Sequence, residues 1–432
     1  MRQREIPAWF YRFAPAGSAF AAFLAMSWLY RQGHREVYDG ILQTWGIVPF
    51  QFPFLDISGW LAVWECSRQG IDVVSFDPCD VLYRGYGSSP LLLAAAGVPM
   101  GVANTTAVGW VLDFVFIASL SLLPPPQRLV ELLLVLAATL STMVVFALER
   151  ANADVILFLL ILTTGCLAER GRAARMIGYG LALLSALLKY YPIMVLTVLF
   201  RERIAVFAAV ALAAAGALAV FWAVYHVEIV RGWAEISAGP YNTDLFAAKN
   251  LPFLVGLLVE SAAAPSRFGA ALGWVVTAGL YGGLAGAALA ICRRLSRFAE
   301  LRAATAELPD GKRVFMVIGS AVIAGCFFAG QSIGYRGIFL LLVMPGLLAL
   351  SRSAVCELRA LCLGSAIVIV LLMWGECLRR AFDGGFGFWL LRELGWWWSI
   401  SVMLTLVADF LWESPVLQAA SAWFGRQGVR SA

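Results

Sequence analysis

Long apolar runs separated by short polar clusters set the pattern of this chain. Nearly uncharged stretches fall at 9–30, 105–123, 129–148, 153–168, 176–188, 191–200, 204–225, 268–291, 314–331, 337–350, 360–376 and 393–412. About 20 apolar residues in a helix cross a bilayer core of about 30 Å. Barrel strands would instead show short alternating segments. The pattern predicts an all-α, polytopic membrane protein of about 12 transmembrane segments, forming one domain over residues 1–432. Segments 176–188 and 191–200 are too short to cross separately. They read as a bent pair around "LKYYP", where Pro192 interrupts the helix. The longest stretches between spans are 31–104 and 226–267.

The first of these stretches has a pattern of its own. In "ISGWLAVWECSR", Ile57, Trp60, Leu61 and Trp64 recur at helical spacing. Two tryptophans on a short amphipathic helix suit the membrane–water interface, and Gly70 is a plausible stop. Asp56 stands just before this helix in "FPFLDISGW". It reads either as an N-cap, accepting free backbone N–H groups, or as a general base near the bilayer surface. Spacing alone favours the cap, and one carboxylate can do both.

Composition fits the same class. The chain is 61% hydrophobic and 14% charged, with mean hydropathy +0.81. Its net charge of +5, from 32 basic and 27 acidic residues, is too modest to point to a nucleic-acid partner. That excess instead sets orientation. "AERGRAAR", "FRER", "CRRLSR" and "DGKR" fall on one side with the N-terminus, which makes that side cytoplasmic. Both termini are then expected in the cytoplasm, with 31–104 and 226–267 outside. The basic start "MRQREIPAWFYRF" has no evident small-residue cleavage site and reads as a retained first helix.

The eight cysteines and two histidines make no metal-binding spacing. No metal or other cofactor is predicted, although the loop acids leave room for a divalent ion. Cys66 and Cys79 share one external stretch and could pair in an oxidising compartment. Two free thiols is the preferred reading.

Polar residues collect on the outer side. "DPCDVLYRGYG" concentrates Asp77, Asp80, Tyr83 and Arg84. It is either a solvated loop capping the bundle or a surface with carboxylates and hydroxyls for a sugar and Arg84 for a phosphate. "ALERANADVILF" places Glu149, Arg150, Asn152 and Asp154 between two spans, as an ion-paired turn or facing a polar cavity. Lys189 stands at the tip of the bent pair, snorkelling or meeting an anionic head group. Gln331, Tyr335 and Arg336 follow in "AGQSIGYRGIF". Arg150, Lys189 and Arg336 thus all come to the outer edge, where a lipid phosphate is a natural partner. Walker, dinucleotide-binding, Gly-x-Ser-x-Gly and paired-His motifs are absent from the sequence. A soluble nucleotide donor has no visible binding unit, whereas a donor dissolved in the membrane needs none.

In these four stretches the chain resembles the polytopic GT-C glycosyltransferases, specifically the bacterial family 87 that includes polyprenol-phosphate-mannose-dependent mannosyltransferases. The stretches are "FPFLDISGWLAVWECSRQGID", "DPCDVLYRGYGSSP", "ERANADVILFLL" with the later "LLKYYPI", and "QSIGYRGIFLLLVMP". Their order and spacing from residue 52 to residue 345 carry the likeness. Ala151 stands where the family pattern has glycine, and "GYGSSP" lacks an aromatic before its proline. The resemblance implies a catalytic acid after the first span, and Asp56 holds that place. It implies a polyprenyl-phosphate sugar as donor, a lipid or glycan acceptor, and inverting transfer at the outer face of a bacterial cytoplasmic membrane. Lys189, Arg336, Arg150 and Arg84 would then serve the donor phosphate. Asp77, Asp80, Tyr83, Asn152, Asp154 and Tyr335 would contact substrate. With the resemblance added, the base is favoured over the cap for Asp56. The alternative is a transporter or flippase of an anionic lipid or sugar, using the same cations without bond-forming chemistry. Only one broken helix is evident, however, and inverted repeats usually give two.

Overall fold

Apolar helices dominate the computed structural model, which describes residues 7–234, 239, 241, 243, 245–263 and 267–430, with the backbone alone for 423–430. Parts of the expected second external stretch (235–238, 240, 242, 244 and 264–266) lie outside the described residues, as do 1–6 and 431–432. By length and composition, seven helices among the described residues can cross a membrane. They are Ala8–Arg31, Val102–Leu122, Ile204–Ala234, Arg267–Leu295, Asp310–Ala329, Cys356–Met373 and Phe386–Trp412. The pair Leu129–Thr139 and Thr142–Arg150, bent by 41°, makes an eighth if counted as one span. The shorter apolar runs form Ala153–Ala168, Tyr191–Arg201 and Gly334–Leu350. The chain is an all-helical protein of polytopic membrane character.

Burial divides the bundle into a centre and a rim. Helix Asp310–Ala329 is the axis and presents a nearly continuous buried surface. Phe315, Phe327, Phe158, Phe339 and Phe246 meet around it, and Phe246 stacks on Trp396 with ring centroids 4.4 Å apart. Packing of this kind rests on close contact, because lipid tails offer apolar side chains an equally apolar alternative. Helices Ile204–Ala234 and Arg267–Leu295 are apolar throughout yet bury only 6% and 11% of their most apolar windows. Such a surface suits lipid rather than water.

The basic segments gather at one end. Arg201 pairs with Asp310 at 3.0 Å, and Arg175 with Glu202 at 2.5 Å. The residues of the 31–104 stretch gather at the other, where the Ser89 hydroxyl donates to the Leu187 carbonyl at 2.5 Å. Arg175 and Leu187 sit near opposite ends of helix Arg172–Leu188, so the two clusters are separated by roughly 20 Å along it.

Several boundaries differ from the sequence reading. The run at 204–225 continues as helix to Ala234, and Asn250–Ala262 is also helical. The 31–104 stretch contains Arg35–Thr44 as well as the expected helix, which spans Leu55–Arg68. The Ile57 and Leu61 side of that helix packs against the protein itself. It is buried with Phe54 and Ala151, and the half-buried Trp60, Trp64 and Trp110 close around it. The thiols are not free either. Cys66 and Cys79 form a disulfide, because the end of helix Leu55–Arg68 and the turn at 77–80 bring their Cα atoms to 5.9 Å.

Candidate functional site

Asp56 owes its position to an unusual helix start. Phe54, the residue before helix Leu55–Arg68, is left-handed with φ 68°. For a residue with a Cβ that conformation costs roughly 1–2 kcal/mol. Two contacts hold it. The Phe54 N–H donates to the Glu149 carbonyl at 2.6 Å. Its ring lies against Gly109, where a Cβ would come within 2.4 Å of the ring. Only glycine admits the ring there, and the ring fixes where the helix begins.

The cap reading of Asp56 fails on this geometry. Asp56 is the second helical residue, and the N-cap position belongs to Phe54, which makes no side-chain capping bond. Its carboxylate points across the chain instead. Oδ2 accepts from Asn152 Nδ2 at 2.6 Å, and Oδ1 from Arg84 Nη1 at 3.2 Å. Arg150 Nη1 stands 3.9 Å from Oδ1.

Each partner is fixed in turn. Asn152 caps helix Ala153–Ala168, its Oδ1 accepting from the Asp154 N–H at 2.9 Å, which leaves Nδ2 to face Asp56. The preceding Ala151 is left-handed at φ 44°, the conformation that glycine takes most readily. Arg84 is gripped by Asp80 through Nε at 2.7 Å and Nη2 at 3.2 Å, and Nη2 also donates to the Leu55 carbonyl at 3.1 Å. Arg150 lies flat on Phe50, 3.9 Å from the ring centroid, and pairs with Glu149 at 3.1 Å.

These residues line an open cleft with about 1030 Å³ of empty space, part of it open to the outside. Asp56, Asp80, Arg84, Arg150, Asn152 and Lys189 supply its polar wall, and Phe50, Trp60, Phe146 and Tyr335 much of the rest. Among the described residues the three cations of the wall outnumber its two carboxylates. A carboxylate beside apolar walls can accept a proton from a bound hydroxyl, and cations opposite can take up developing negative charge.

Not every expected residue faces this cleft. Asp154 is fully buried and is not open to substrate. Its Oδ1 accepts from Lys189 Nζ and from the Tyr191 hydroxyl, both at 2.6 Å, and Oδ2 lies 3.4 Å from Arg336 Nε. It is the anchor of two cations, because a buried carboxylate needs paired charge and hydrogen bonds. Arg336 donates to Ser332 Oγ at 2.8 Å and lies over the Tyr191 ring; only Lys189 of the two cations reaches the cleft wall. Asp77 is buried below the loop, where Oδ1 accepts the Cys79 N–H at 2.9 Å and shapes the turn. Burial pushes its carboxyl above the ordinary range, and the neighbouring Asp80 charge adds to this against the Cys79 N–H. Tyr83 is exposed, stacked on Phe76 outside the cleft.

The sequence reading passed over Arg379, Arg380, Arg392 and Glu376. They line a second cavity that shares Phe50, Phe146 and Arg150 with the first. The one signal was "CLRRAF", two adjacent arginines just after an apolar run. Asp77, Cys66 and Cys79 come close enough together for metal ligands, but both thiols are spent in the disulfide. No family model, curated protein or solved structure matches this chain, so its site is read from its own residues.

Proposed function

We propose that the chain is a membrane glycosyltransferase of the GT-C type. It moves a hexose, mannose-like, from a polyprenyl-phosphate sugar to a lipid or glycan acceptor at the outer face of a bacterial cytoplasmic membrane. The short apolar helices then add to the long ones to make about 12 segments, with both termini inside. The observation that carries this reading is the Asp56 carboxylate, held by Asn152 and Arg84 in a cleft at the end of the bundle away from the basic segments. The Cys66–Cys79 disulfide on the cleft side supports an oxidising surrounding for that end.

In the proposed step an acceptor hydroxyl gives its proton to Asp56 while its oxygen bonds to the anomeric carbon. The bond from that carbon to the phosphate oxygen breaks in the same displacement, and its electron pair leaves with the polyprenyl phosphate. Configuration inverts. General-base help of this kind supplies typically about 10²–10⁴ in rate. Arg150 and Lys189, on the cleft wall, stabilise the leaving phosphate. Arg336 acts through Asp154 by sharing its charge with Lys189. Arg84, tied to Asp80 and Asp56, positions the base.

The test is sugar transfer by purified protein in liposomes, with a panel of polyprenyl-phosphate sugars and a lipid-extract acceptor. Wild type should form a glycolipid, and Asp56→Asn should lower the rate at least about 100-fold at unchanged melting temperature. Equal product from both removes Asp56 as the base. Movement of the lipid across the bilayer without product supports the flippase instead.

A further inference from the structure

On the far side of Phe50, Phe146 and Arg150 lies the second cavity, with about 1310 Å³ of empty space. Its apolar wall includes Ile47, Met143, Leu372, Met373 and Trp396. Among the described residues its charged wall is one-sided: Arg150, Arg379, Arg380 and Arg392 against Glu376. Glu376 is already shared. It accepts from Arg392 Nη1 at 2.6 Å and from Arg379 Nε at 2.8 Å. Arg392 also meets Glu393 at 3.3 Å and the Thr243 carbonyl, yet its Nε has no hydrogen-bond partner among the described residues although the residue is only 7% exposed. Arg380 bonds a main-chain carbonyl, that of Gln43, at 3.1 Å, and no carboxylate pairs with it among the described residues. Arg380 is exposed and Arg379 partly so, whereas the Arg392 guanidinium is withdrawn from water, and a buried guanidinium with an open donor beside apolar walls is costly unless an anion joins it. Planar guanidinium donors match a phosphate in charge and geometry.

We propose that this cavity is a phosphate-ester site for an amphiphilic substrate. Arg379, Arg380 and Arg392 hold the phosphate, the apolar wall receives the adjoining chain, and Arg150 is the partition through which the substrate meets the Asp56 cleft. The position of this site in a reaction rests on the transferase reading, but binding of the phosphate does not. The phosphate belongs either to a prenyl phosphate or to the diester head group of a glycerophospholipid.

The experiment measures binding to the full chain in phosphatidylcholine nanodiscs, with Trp396 in the cavity wall as one fluorescence reporter. The probes are a C20 prenyl monophosphate, the C20 prenyl alcohol and phosphatidylinositol. The proteins are wild type, Arg380→Gln, Arg379→Gln/Arg380→Gln, and Arg201→Gln at the opposite end as a charge control. One phosphate probe should bind well above the alcohol. Its affinity should fall about tenfold or more in the double variant, less in the single, and not in Arg201→Gln. Arginine-dependent binding of the prenyl phosphate assigns the site to that class, and of phosphatidylinositol to the diester. Equal binding of phosphate and alcohol, or unchanged affinity in both arginine variants, overturns the proposal. Arg380→Gln decides alone if the double variant does not fold, since among the described residues Arg380 supports only the Gln43 carbonyl. Arginine-dependent binding without sugar transfer overturns the transferase reading and leaves this site standing. Transfer with arginine-independent binding does the reverse.

Discussion

A single substitution at Asp154 tests the buried charge network directly. Asp154 is fully buried and sits between Lys189 Nζ at 2.6 Å, the Tyr191 hydroxyl at 2.6 Å and Arg336 Nε at 3.4 Å. Asp154→Asn keeps the shape and one carbonyl oxygen, so Tyr191 and Lys189 still have an acceptor. What is lost is the negative charge, leaving two cations side by side without the carboxylate that both contact. Removing one partner of a buried pair costs about 3–5 kcal/mol. The lower end applies, because the amide retains hydrogen bonds and Lys189 borders the open cleft. For a chain of this length, about 3 kcal/mol lowers the melting temperature by roughly 3–6 °C. The assay is thermal unfolding of detergent-solubilised protein, in a cycle of wild type, Asp154→Asn, Lys189→Met and the double variant. The double variant should recover part of the stability lost in Asp154→Asn, because one of the two stranded cations is gone. Melting of Asp154→Asn within about 1 °C of wild type, or a coupling below about 0.5 kcal/mol, would refute the anchor.

Three further outcomes follow from the same structure. Gly109→Ala drives a Cβ into the Phe54 ring and should cost about 1–3 kcal/mol, with loss of transfer because Phe54 sets the start of the Asp56 helix; unchanged melting and activity would show that the ring yields freely. Replacing Cys66 and Cys79 together by serine should remove about 3 kcal/mol from the cleft-side loop, read as faster proteolysis between residues 69 and 85, and equal cleavage rates would contradict it. Asp77 holds its proton more tightly folded than unfolded. Its contribution to stability is therefore fully present below the unfolded value of about 3.9 and declines as pH rises through the folded value. Asp77→Asn, which can still accept the Cys79 N–H, should accordingly melt no lower than wild type at pH 7 and flatten that decline; a clear loss of stability at pH 7 would reverse the assignment.

The sequence by itself determined the membrane class, most helix positions and the neighbourhood of the site. Apolar run length is a local property, and a bilayer demands it of each span separately. The breaks at 149–154 and "LKYYP" were legible for the same reason, since a charged cluster and a proline act on their own turn, whereas the left-handed turn at Ala151 was not. Asp56, Arg150 and Lys189 stood out as charges at the ends of apolar runs, and they do line one cleft. Roles that depend on distant partners were not legible. Asp154 and Asp56 look alike along the chain, yet one is sealed beneath Lys189 and Arg336 while the other faces open space. The Cys66–Cys79 bond needed a turn at 77–80 to fold back on a helix end. Arg379, Arg380 and Arg392 became a group only when helix Phe386–Trp412 packed against the segment after Met373 and the 46–50 turn. Burial and charge balance are sums over neighbours in space, and only the tertiary structure fixes those neighbours.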